Sequence, residues 1–212
     1  MKRASARVSF DVIVIGASAG GVQALGQLLP RLPATFAPAM VIALHQPADA
    51  SGVLAEMFDA KCALPVRLAE DKQPLVGGTV LFAPPGYHTL IEGDSAIALS
   101  LDPPEHFSRP SIDVLFESAA WGFRNRALGI LLTGASADGA AGLLLIQQAG
   151  GAAWVQDPAT AAADLMPRSA LELGVSAQVL SLEEMSRRLA QMAARYSDLT
   201  LSGEIRNDKE NN

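Results

Sequence analysis

The sequence predicts an α/β protein with a doubly wound, three-layer α/β/α fold built on a mostly parallel sheet of about seven strands. Three observations lead to this prediction. Short apolar runs alternate along the chain with segments whose apolar residues recur at helical spacing. The runs are apolar at consecutive positions, as in strands that are buried on both faces. Half of the 212 residues are hydrophobic, which is enough for one sizeable core.

The first element has the clearest pattern. Residues 12–15 (V-I-V-I) predict a buried strand, and residues 16–21 (G-A-S-A-G-G) predict a tight turn. The spacing of Val22, Leu25 and Leu29 then predicts a helix. Glycine permits such a sharp strand-to-helix turn because it has no Cβ atom.

The later elements continue this alternation. Further strands are predicted at Ala39–Leu44, residues 61–68, residues 127–132, residues 152–155 and Gln178–Leu180. Further helices are predicted at residues 51–60, Ile112–Phe123, residues 140–149, residues 159–172 and from residue 181 onward, with Pro167 dividing the fourth of these.

Residues 77–101 show a different pattern. Short extended runs at residues 79–83, 89–91 and 96–101 are separated by P-P-G and E-G-D-S, which are turn signals. Such signals are typical of β-hairpins rather than of a helical crossover. The segment is therefore predicted to be a hairpin insertion.

The chain shows no internal repeat and no linker long enough to separate two domains. We therefore expect one domain at residues 10–196, preceded by an N-terminal extension at residues 1–9 and followed by a polar tail at residues 197–212. A formal charge of −6 without a basic run argues against nonspecific nucleic-acid binding. The sequence contains neither a signal peptide nor a membrane-spanning run, which favours a cytoplasmic protein without membrane insertion.

The turn after the first strand has three interpretations. Residues 16–20 match the G-x-S-x-G nucleophile elbow, with Ser18 at its centre. A glycine-rich turn before a helix also binds the phosphates of dinucleotides. The third interpretation is a packing turn without chemistry, which is the default for a single short motif.

Polar side chains follow three of the predicted strands. Ser18, His45 and Asp138 each come just after a buried run, and ligands of doubly wound sheets bind at the carboxyl ends of the strands. Serine needs a base, and the base needs a carboxylate that fixes its tautomer. A dinucleotide fold usually has an acidic residue where this chain has His45. These observations favour nucleophilic acyl transfer over cofactor binding.

The segments around these residues resemble the catalytic domain of the chemotaxis protein-glutamate methylesterases, the CheB family. The similarity extends from about residue 10 to residue 194. It is carried by I-G-A-S-A-G-G at 15–21, H-Q-P at 45–47, A-P-P-G-Y-H at 83–88, R-P-S-I-D-V-L-F at 109–116, L-T-G-A-S-A-D-G-A at 132–140, and Q-D-P at 156–158 with M-P-R-S-A at 166–170.

The resemblance implies a catalytic triad of Ser18, His45 and Asp138 that hydrolyses glutamate γ-methyl esters on chemotaxis receptors. Some members of the family also deamidate receptor glutamines. The backbone N–H groups of Ala19 and Ala135 are expected to form the oxyanion hole. The expected partners are the cytoplasmic helices of methyl-accepting receptors and other chemosensory proteins.

Four residues are expected to border the substrate groove, and they are Gly20, His88, Arg109 and Met166. No cofactor is expected. No metal is expected either, because the three histidines lack the short spacing that is typical of metal ligands.

The sequence departs from the family pattern at the turn and in the aspartate loop. Ala19 replaces a usual threonine, and Ala135 and Ser136 replace a usual Met-Gly pair. Ser136 is expected to strain the loop if the replaced glycine has a positive φ. The phosphorylatable receiver domain of many members does not precede this domain, so control by phosphorylation within the chain is not expected. Two alternatives stay open: a dinucleotide-binding protein, and a catalytically weak member that serves as a binding module in a signalling complex.

Overall fold

The computed structural model describes the backbone of residues 10–202 and the side chains of residues 10–192. The strands are β1 (Val12–Ala17), β2 (Ala39–Leu44), β3 (Val66–Leu68), β4 (Val80–Phe82), β5 (His88–Glu92), β6 (Ala96–Ser100), β7 (Ala127–Leu131), β8 (Ala152–Gln156) and β9 (Gln178–Leu180). The helices are α1 (Gly21–Leu28), α2 (Val53–Asp59), α3 (Ile112–Phe123), α4 (Ala140–Gln148), α5 (Leu165–Glu172) and α6 (Leu182–Ser202).

Seven strands form one parallel sheet in the order β3-β4-β2-β1-β7-β8-β9. Strand β1 lies in the middle of the sheet. Strands β2, β3 and β4 form one half, with β4 between β2 and the edge strand β3, and the chain then crosses to β7 on the other side of β1. In doubly wound sheets this reversal opens a crevice at the carboxyl ends of the central strands. The predicted fold class is confirmed.

The register of the central strands determines which residues meet at this edge. Ala17 of β1 pairs with Leu44 of β2, and Gly16 pairs with Leu131 of β7. The segments that follow these three strands therefore leave the sheet side by side.

Both faces of the sheet are buried under helices. Alternate side chains of β1 belong to separate cores, with Ile13 and Ile15 in one and Val12 and Val14 in the other. The first core also contains side chains of α1, α2 and α6, and the second contains side chains of α3, α4 and α5. Consecutive apolar residues in a strand are explained by this burial on two sides.

The predicted hairpin insertion is smaller than expected. Among the strands predicted for this segment, β5 and β6 form an antiparallel pair, whereas β4 lies in the main sheet between β3 and β2. The three residues of β4 are all buried, and this burial comes from neighbours that are distant in sequence. A local turn pattern could not distinguish such a strand from the arm of a hairpin.

The predicted break at Pro167 is also corrected. Pro167 lies inside the first turn of α5. Backbone N–H groups in the first turn have no hydrogen-bond partner within the helix, so a proline there does not divide the helix. Helix α6 continues to Ser202, so its last residues fall within the predicted polar tail, whose start at residue 197 stays a prediction. Residues 1–9 and 203–212 lie outside the described residues. Among the described residues, no helix has both the length and the apolar character needed to cross a bilayer.

Helices α3 and α4 approach closely at Gly142. A Cβ atom at this position would lie 2.6 Å from the Cβ atom of Phe116 and 2.9 Å from the carbonyl oxygen of Asp113. The Gly142 N–H also donates a 2.6 Å hydrogen bond to the Asp113 carboxylate. Glycine is therefore required here by a close approach of two helices.

We expect Gly142→Ala to lower the free energy of unfolding by about 1–3 kcal/mol, because the added methyl group would overpack this contact. The control is Gly26→Ala in the exposed part of α1, where a Cβ atom would meet nothing within 4 Å. Gly26→Ala should stabilise the protein by about 0.5–1 kcal/mol through helix propensity. Urea denaturation measures both changes, and equal effects of the two variants would contradict this account.

Candidate active site

The side chain of Asp138 is fully buried and accepts hydrogen bonds at both oxygens. Its Oδ1 accepts from the Ser111 hydroxyl and from the Asp113 N–H, both at 2.9 Å. Its Oδ2 accepts from the Ile112 N–H at 2.7 Å and from Nε2 of His45 at 2.7 Å. The carboxylate thus links the loop after β7 to the start of α3 and to the loop after β2.

The start of α3 stabilises the charge of Asp138. Ile112 and Asp113 are the first residues of the helix, so their N–H groups have no partner within it, and the helix dipole favours an anion there. Burial by itself would raise the pKa of Asp138. The hydrogen bonds from His45, Ile112 and Asp113 outweigh burial, and the pKa lies below its ordinary value. Asp138 is therefore an anion at neutral pH.

His45 follows β2 and lies between this carboxylate and the surface. Its backbone N–H donates to the Ala17 carbonyl at 3.0 Å, and its side chain is 11% exposed. Because an ionised carboxylate can only accept, Nε2 of the imidazole carries the proton that Asp138 receives. In the neutral imidazole the lone pair is then on Nδ1, and Nδ1 is the atom available to act as a base.

Ser18 lies next to His45 at the edge of the sheet. Since Ala17 pairs with Leu44 and adjacent strands are about 4.8 Å apart, the two residues that follow leave the sheet side by side. The Ser18 N–H donates to the Thr133 carbonyl at 3.0 Å, which ties the turn to the aspartate loop. Among the described residues there is no hydrogen bond between the Ser18 hydroxyl and His45. The structure thus joins His45 to Asp138 and places Ser18 beside them without joining it to the imidazole.

Gly20 gives the turn its shape. Its φ is +79°, a left-handed conformation, and a Cβ atom there would lie 2.7 Å from that of Ala162. Both facts require glycine for conformational reasons, independently of the substrate contact predicted for Gly20.

Two backbone donors lie close to Ser18. Within the described part of the chain, no hydrogen bond is found for the N–H of Ala19 or of Ala135, and both residues are exposed. A Cβ atom on Gly134, the neighbour of Ala135, would lie 2.9 Å from the Cβ atom of Ser18, so the aspartate loop contacts the serine turn. These N–H groups are available to a negatively charged oxygen at this edge.

Comparison with known proteins shows the family of the chain. Residues 13–189 match the family model described as CheB methylesterase. The chain belongs to the CheB methylesterase family. The crystal structure of the Thermotoga maritima CheB methylesterase catalytic domain is similar to this chain with a TM-score of 0.83 and 28% sequence identity, covering 87% of this chain and 100% of that one.

Individual relatives are similar over most of this chain. A protein of Leptospira interrogans is 44% identical over 179 residues, which cover 84% of this chain and 93% of that protein. The protein-glutamate methylesterase/protein-glutamine glutaminase of Symbiobacterium thermophilum is 38% identical over 180 residues. That match covers 85% of this chain and 50% of the relative, so this chain spans half the length of the Symbiobacterium protein.

The substitution of Ser136 for the usual glycine of CheB proteins does not strain the loop. In the described part of the chain, the non-glycine residues with positive φ are Lys72, His106, Phe107 and Arg124, so Ser136 is not among them. The Ser136 hydroxyl instead accepts the Asp138 N–H at 3.1 Å. The expected strain is therefore absent, and the serine stabilises the turn that presents Asp138.

His88 lies behind the site rather than in a groove. It is 1% exposed, its Nδ1 accepts the Ser111 N–H at 3.1 Å, and its Nε2 donates to the Pro103 carbonyl at 3.1 Å. Both ring nitrogens are therefore occupied within the protein. The predicted substrate contact of His88 is not supported, and its geometry indicates that it positions Ser111, which in turn bonds Asp138.

Met166 and Arg109 also have structural contacts. Met166 is fully buried, and its Cε atom lies 2.5 Å from the position that a Cβ atom on Gly134 would take, so it packs under the aspartate loop. Arg109 is half-buried and donates to the carbonyls of Leu101 and Asp102 at 2.9 and 3.0 Å. The burial of Met166 excludes the predicted contact with a substrate. The Arg109 guanidinium holds the loop that precedes α3.

Asp113 and His106 form a second pair beside the site, which sequence reasoning missed. Nε2 of His106 lies 3.2 Å from Oδ2 of Asp113, and these two residues with Asp138 bring three possible metal ligands within 4.8 Å of one another. Each oxygen of Asp138 already accepts two hydrogen bonds, so this carboxylate is poorly placed to bind an ion.

Replacement of Asp138 by asparagine should destabilise the protein. An asparagine offers one oxygen to the donors that now share two, so at least one buried N–H group loses its acceptor. We expect Asp138→Asn to lower the free energy of unfolding by roughly 1–3 kcal/mol in urea denaturation. The control Asp49→Asn, at an exposed position, should change it by less than about 0.5 kcal/mol. An equally small effect at both positions would contradict the anchoring role of Asp138.

The stability of the protein should depend on the ionisation of Asp113. Burial raises the pKa of Asp113 to about 6; the Gly142 hydrogen bond opposes this rise and the charge of Asp138 adds to it. Because the pKa in the folded state lies above the unfolded value, the folded state binds this proton more tightly. The resulting stability is fully present below about pH 4 and is lost as the pH rises through 6.

Asp113→Asn removes this dependence. The free energy of unfolding of the variant, relative to that of the native protein, should therefore increase by about 2–3 kcal/mol between pH 4 and pH 7.5. Urea denaturation at several pH values measures the difference, with Asp49→Asn as the control. Curves that run parallel for the native protein and Asp113→Asn would contradict the raised pKa.

Proposed function

We propose that this protein is a serine hydrolase that removes methyl groups from glutamate γ-methyl esters of chemotaxis receptors. The observation that supports this most directly is the Asp138–His45 pair, in which Nε2 bonds the buried carboxylate and leaves the lone pair on Nδ1, with Ser18 following the neighbouring strand at the same sheet edge. Membership of the CheB methylesterase family supplies the ester chemistry. The names of relatives also include protein-glutamine glutaminase, so receptor glutamines are proposed as further substrates.

In the first half of the proposed reaction, the Ser18 hydroxyl attacks the ester carbonyl and its proton passes to Nδ1 of His45. Asp138 stabilises the imidazolium that forms, because its carboxylate is ionised and bonded to Nε2. The N–H groups of Ala19 and Ala135 hold the oxygen of the tetrahedral intermediate. One such donor is typically worth about 10²–10³-fold in rate.

In the second half, the proton on Nδ1 passes to the leaving oxygen and methanol departs, leaving an acyl ester on Ser18. Water then attacks this ester, and His45 takes a proton from the water. The collapse of the second intermediate returns that proton to Ser18 and releases the glutamate side chain. With a glutamine substrate, ammonia leaves in place of methanol.

The proposed partners are the cytoplasmic helices of methyl-accepting receptors together with other chemosensory proteins. Their side chains would enter the edge of the sheet where Ala19 and Ala135 are exposed. The ester must reach Ser18 from the solvent side, since Asp138 and the start of α3 close the site from within.

Replacement of Ser18 by alanine should abolish turnover. We expect Ser18→Ala to reduce methanol release from methylated receptor by roughly 10⁴–10⁶-fold, since the nucleophile of a triad is lost. The matched control is Ser176→Ala, because Ser176 is exposed and lies just before β9, at the opposite edge of the sheet. Release of methanol by Ser18→Ala at the rate of the control would refute the proposed nucleophile.

A second candidate is a binding module with weak catalysis, which is favoured by the absence of a Ser18–His45 hydrogen bond. The two candidates differ in their reaction with a fluorophosphonate, which labels activated serines. A hydrolase should be labelled at Ser18, whereas a binding module should bind receptor fragments without being labelled.

A further inference from the structure

The loop before α3 ends in a tight hairpin at residues 105–108. Glu105 and Ser108 exchange both of their backbone hydrogen bonds, at 3.2 and 2.8 Å. The two residues between them, His106 and Phe107, have φ values of 49° and 60°. Left-handed conformations at two successive non-glycine residues are unusual and persist only where the surroundings hold them.

This hairpin brings a second serine to the imidazole of His45. The Ser108 hydroxyl lies 3.3 Å from Nδ1. Because Nε2 donates its proton to Asp138, Nδ1 of the neutral ring can only accept, so the Ser108 hydroxyl is the donor. The described residues therefore contain a complete Ser–His–Asp hydrogen-bond chain, and its serine is Ser108 rather than Ser18.

A separate contact holds the hairpin in this position. His106 pairs with Asp113 at 3.2 Å, on the first turn of the helix whose N–H groups bind Asp138. The hairpin is thus attached at two places: His106 contacts Asp113 of α3, and Ser108 contacts His45. This double attachment explains how the left-handed residues are maintained.

Ser108 is poorly equipped to be the nucleophile itself. Ser18 lies in the strand-to-helix turn beside the exposed N–H groups of Ala19 and Ala135, which no group in the described residues occupies, whereas Ser108 belongs to a separate hairpin. The Nδ1 atom has one lone pair, and Ser18 needs that lone pair in order to lose its proton. The two hydroxyls therefore compete for the same atom.

We propose that Ser108 occupies Nδ1 of His45 when no substrate is bound and must release this atom to Ser18 for reaction to begin. The inference rests on the proposed function, because it assigns Ser18 as the nucleophile. Ser108 thus acts only through His45, by competing with Ser18 for Nδ1. At 3.3 Å its hydrogen bond is long, and this makes the exchange easy.

The test is the rate of labelling by a small alkyl fluorophosphonate, which requires no receptor. In this reaction the Ser18 oxygen forms a bond to phosphorus, fluoride leaves, and His45 takes the serine proton. Removal of a competing neutral hydrogen bond should accelerate labelling roughly two- to tenfold in Ser108→Ala. Ser108→Thr keeps the hydroxyl and should react at close to the native rate. Intact-mass spectrometry measures the rates, and peptide mapping locates the label.

A second variant tests the hairpin without removing the hydroxyl. His106→Asn loses the contact with Asp113 but keeps a residue type that tolerates a left-handed conformation. It should accelerate labelling in the same direction as Ser108→Ala, by a smaller factor. Ser176→Ala serves as the unchanged reference, and circular dichroism establishes that each variant is folded.

Three results would overturn the inference: labelling of folded Ser108→Ala at or below the native rate, equal acceleration in Ser108→Thr, or a label found on Ser108. Failure of the proposed function gives a different result. In that case Ser18→Ala would be labelled as fast as the native protein, or the native protein would not be labelled at all.

Discussion

The site depends on the hydrogen bonds that the buried carboxylate of Asp138 accepts. A charge without exposure to solvent requires compensation, and Asp138 obtains it from the first N–H groups of α3, the Ser111 hydroxyl and His45. These partners come from separate parts of the sequence, so one anion fixes the relative positions of three segments. The same bonds keep it ionised, which makes it a strong acceptor for the imidazole proton.

The neighbouring carboxylate of Asp113, in the first turn of α3, has a pKa that is displaced in the opposite direction. Burial would raise the pKa of Asp138, but the hydrogen bonds from His45, Ile112 and Asp113 outweigh it and the pKa is lowered. The pKa of Asp113 is raised to about 6 because burial outweighs its contacts. Two nearby acids in different environments often have different roles. Here Asp138 orients the base, His45. Asp113 contacts His106 and so holds the hairpin that covers His45.

The sheet sets the distances between the residues of the site and supplies none of its chemical groups. Its register puts the residues after β1, β2 and β7 at one edge, with glycine at the positions where a side chain would prevent close approach. A rigid scaffold of this kind allows short polar contacts to be made by loops. It also explains why exchanges such as Ser136 for glycine are accepted, since the loop is held by bonds to β1 and α5.

The sequence by itself determined the α/β architecture and the candidacy of Ser18, His45 and Asp138, because strand burial, helical spacing and turn chemistry are local patterns. Only the tertiary structure decided that β4 joins the main sheet, that His88 and Met166 are interior, and that Ser108 meets the imidazole. These outcomes depend on contacts between residues far apart in the chain. Local periodicity carries no information about such contacts. A short strand with a given pattern can form its backbone hydrogen bonds equally well with several different neighbouring strands.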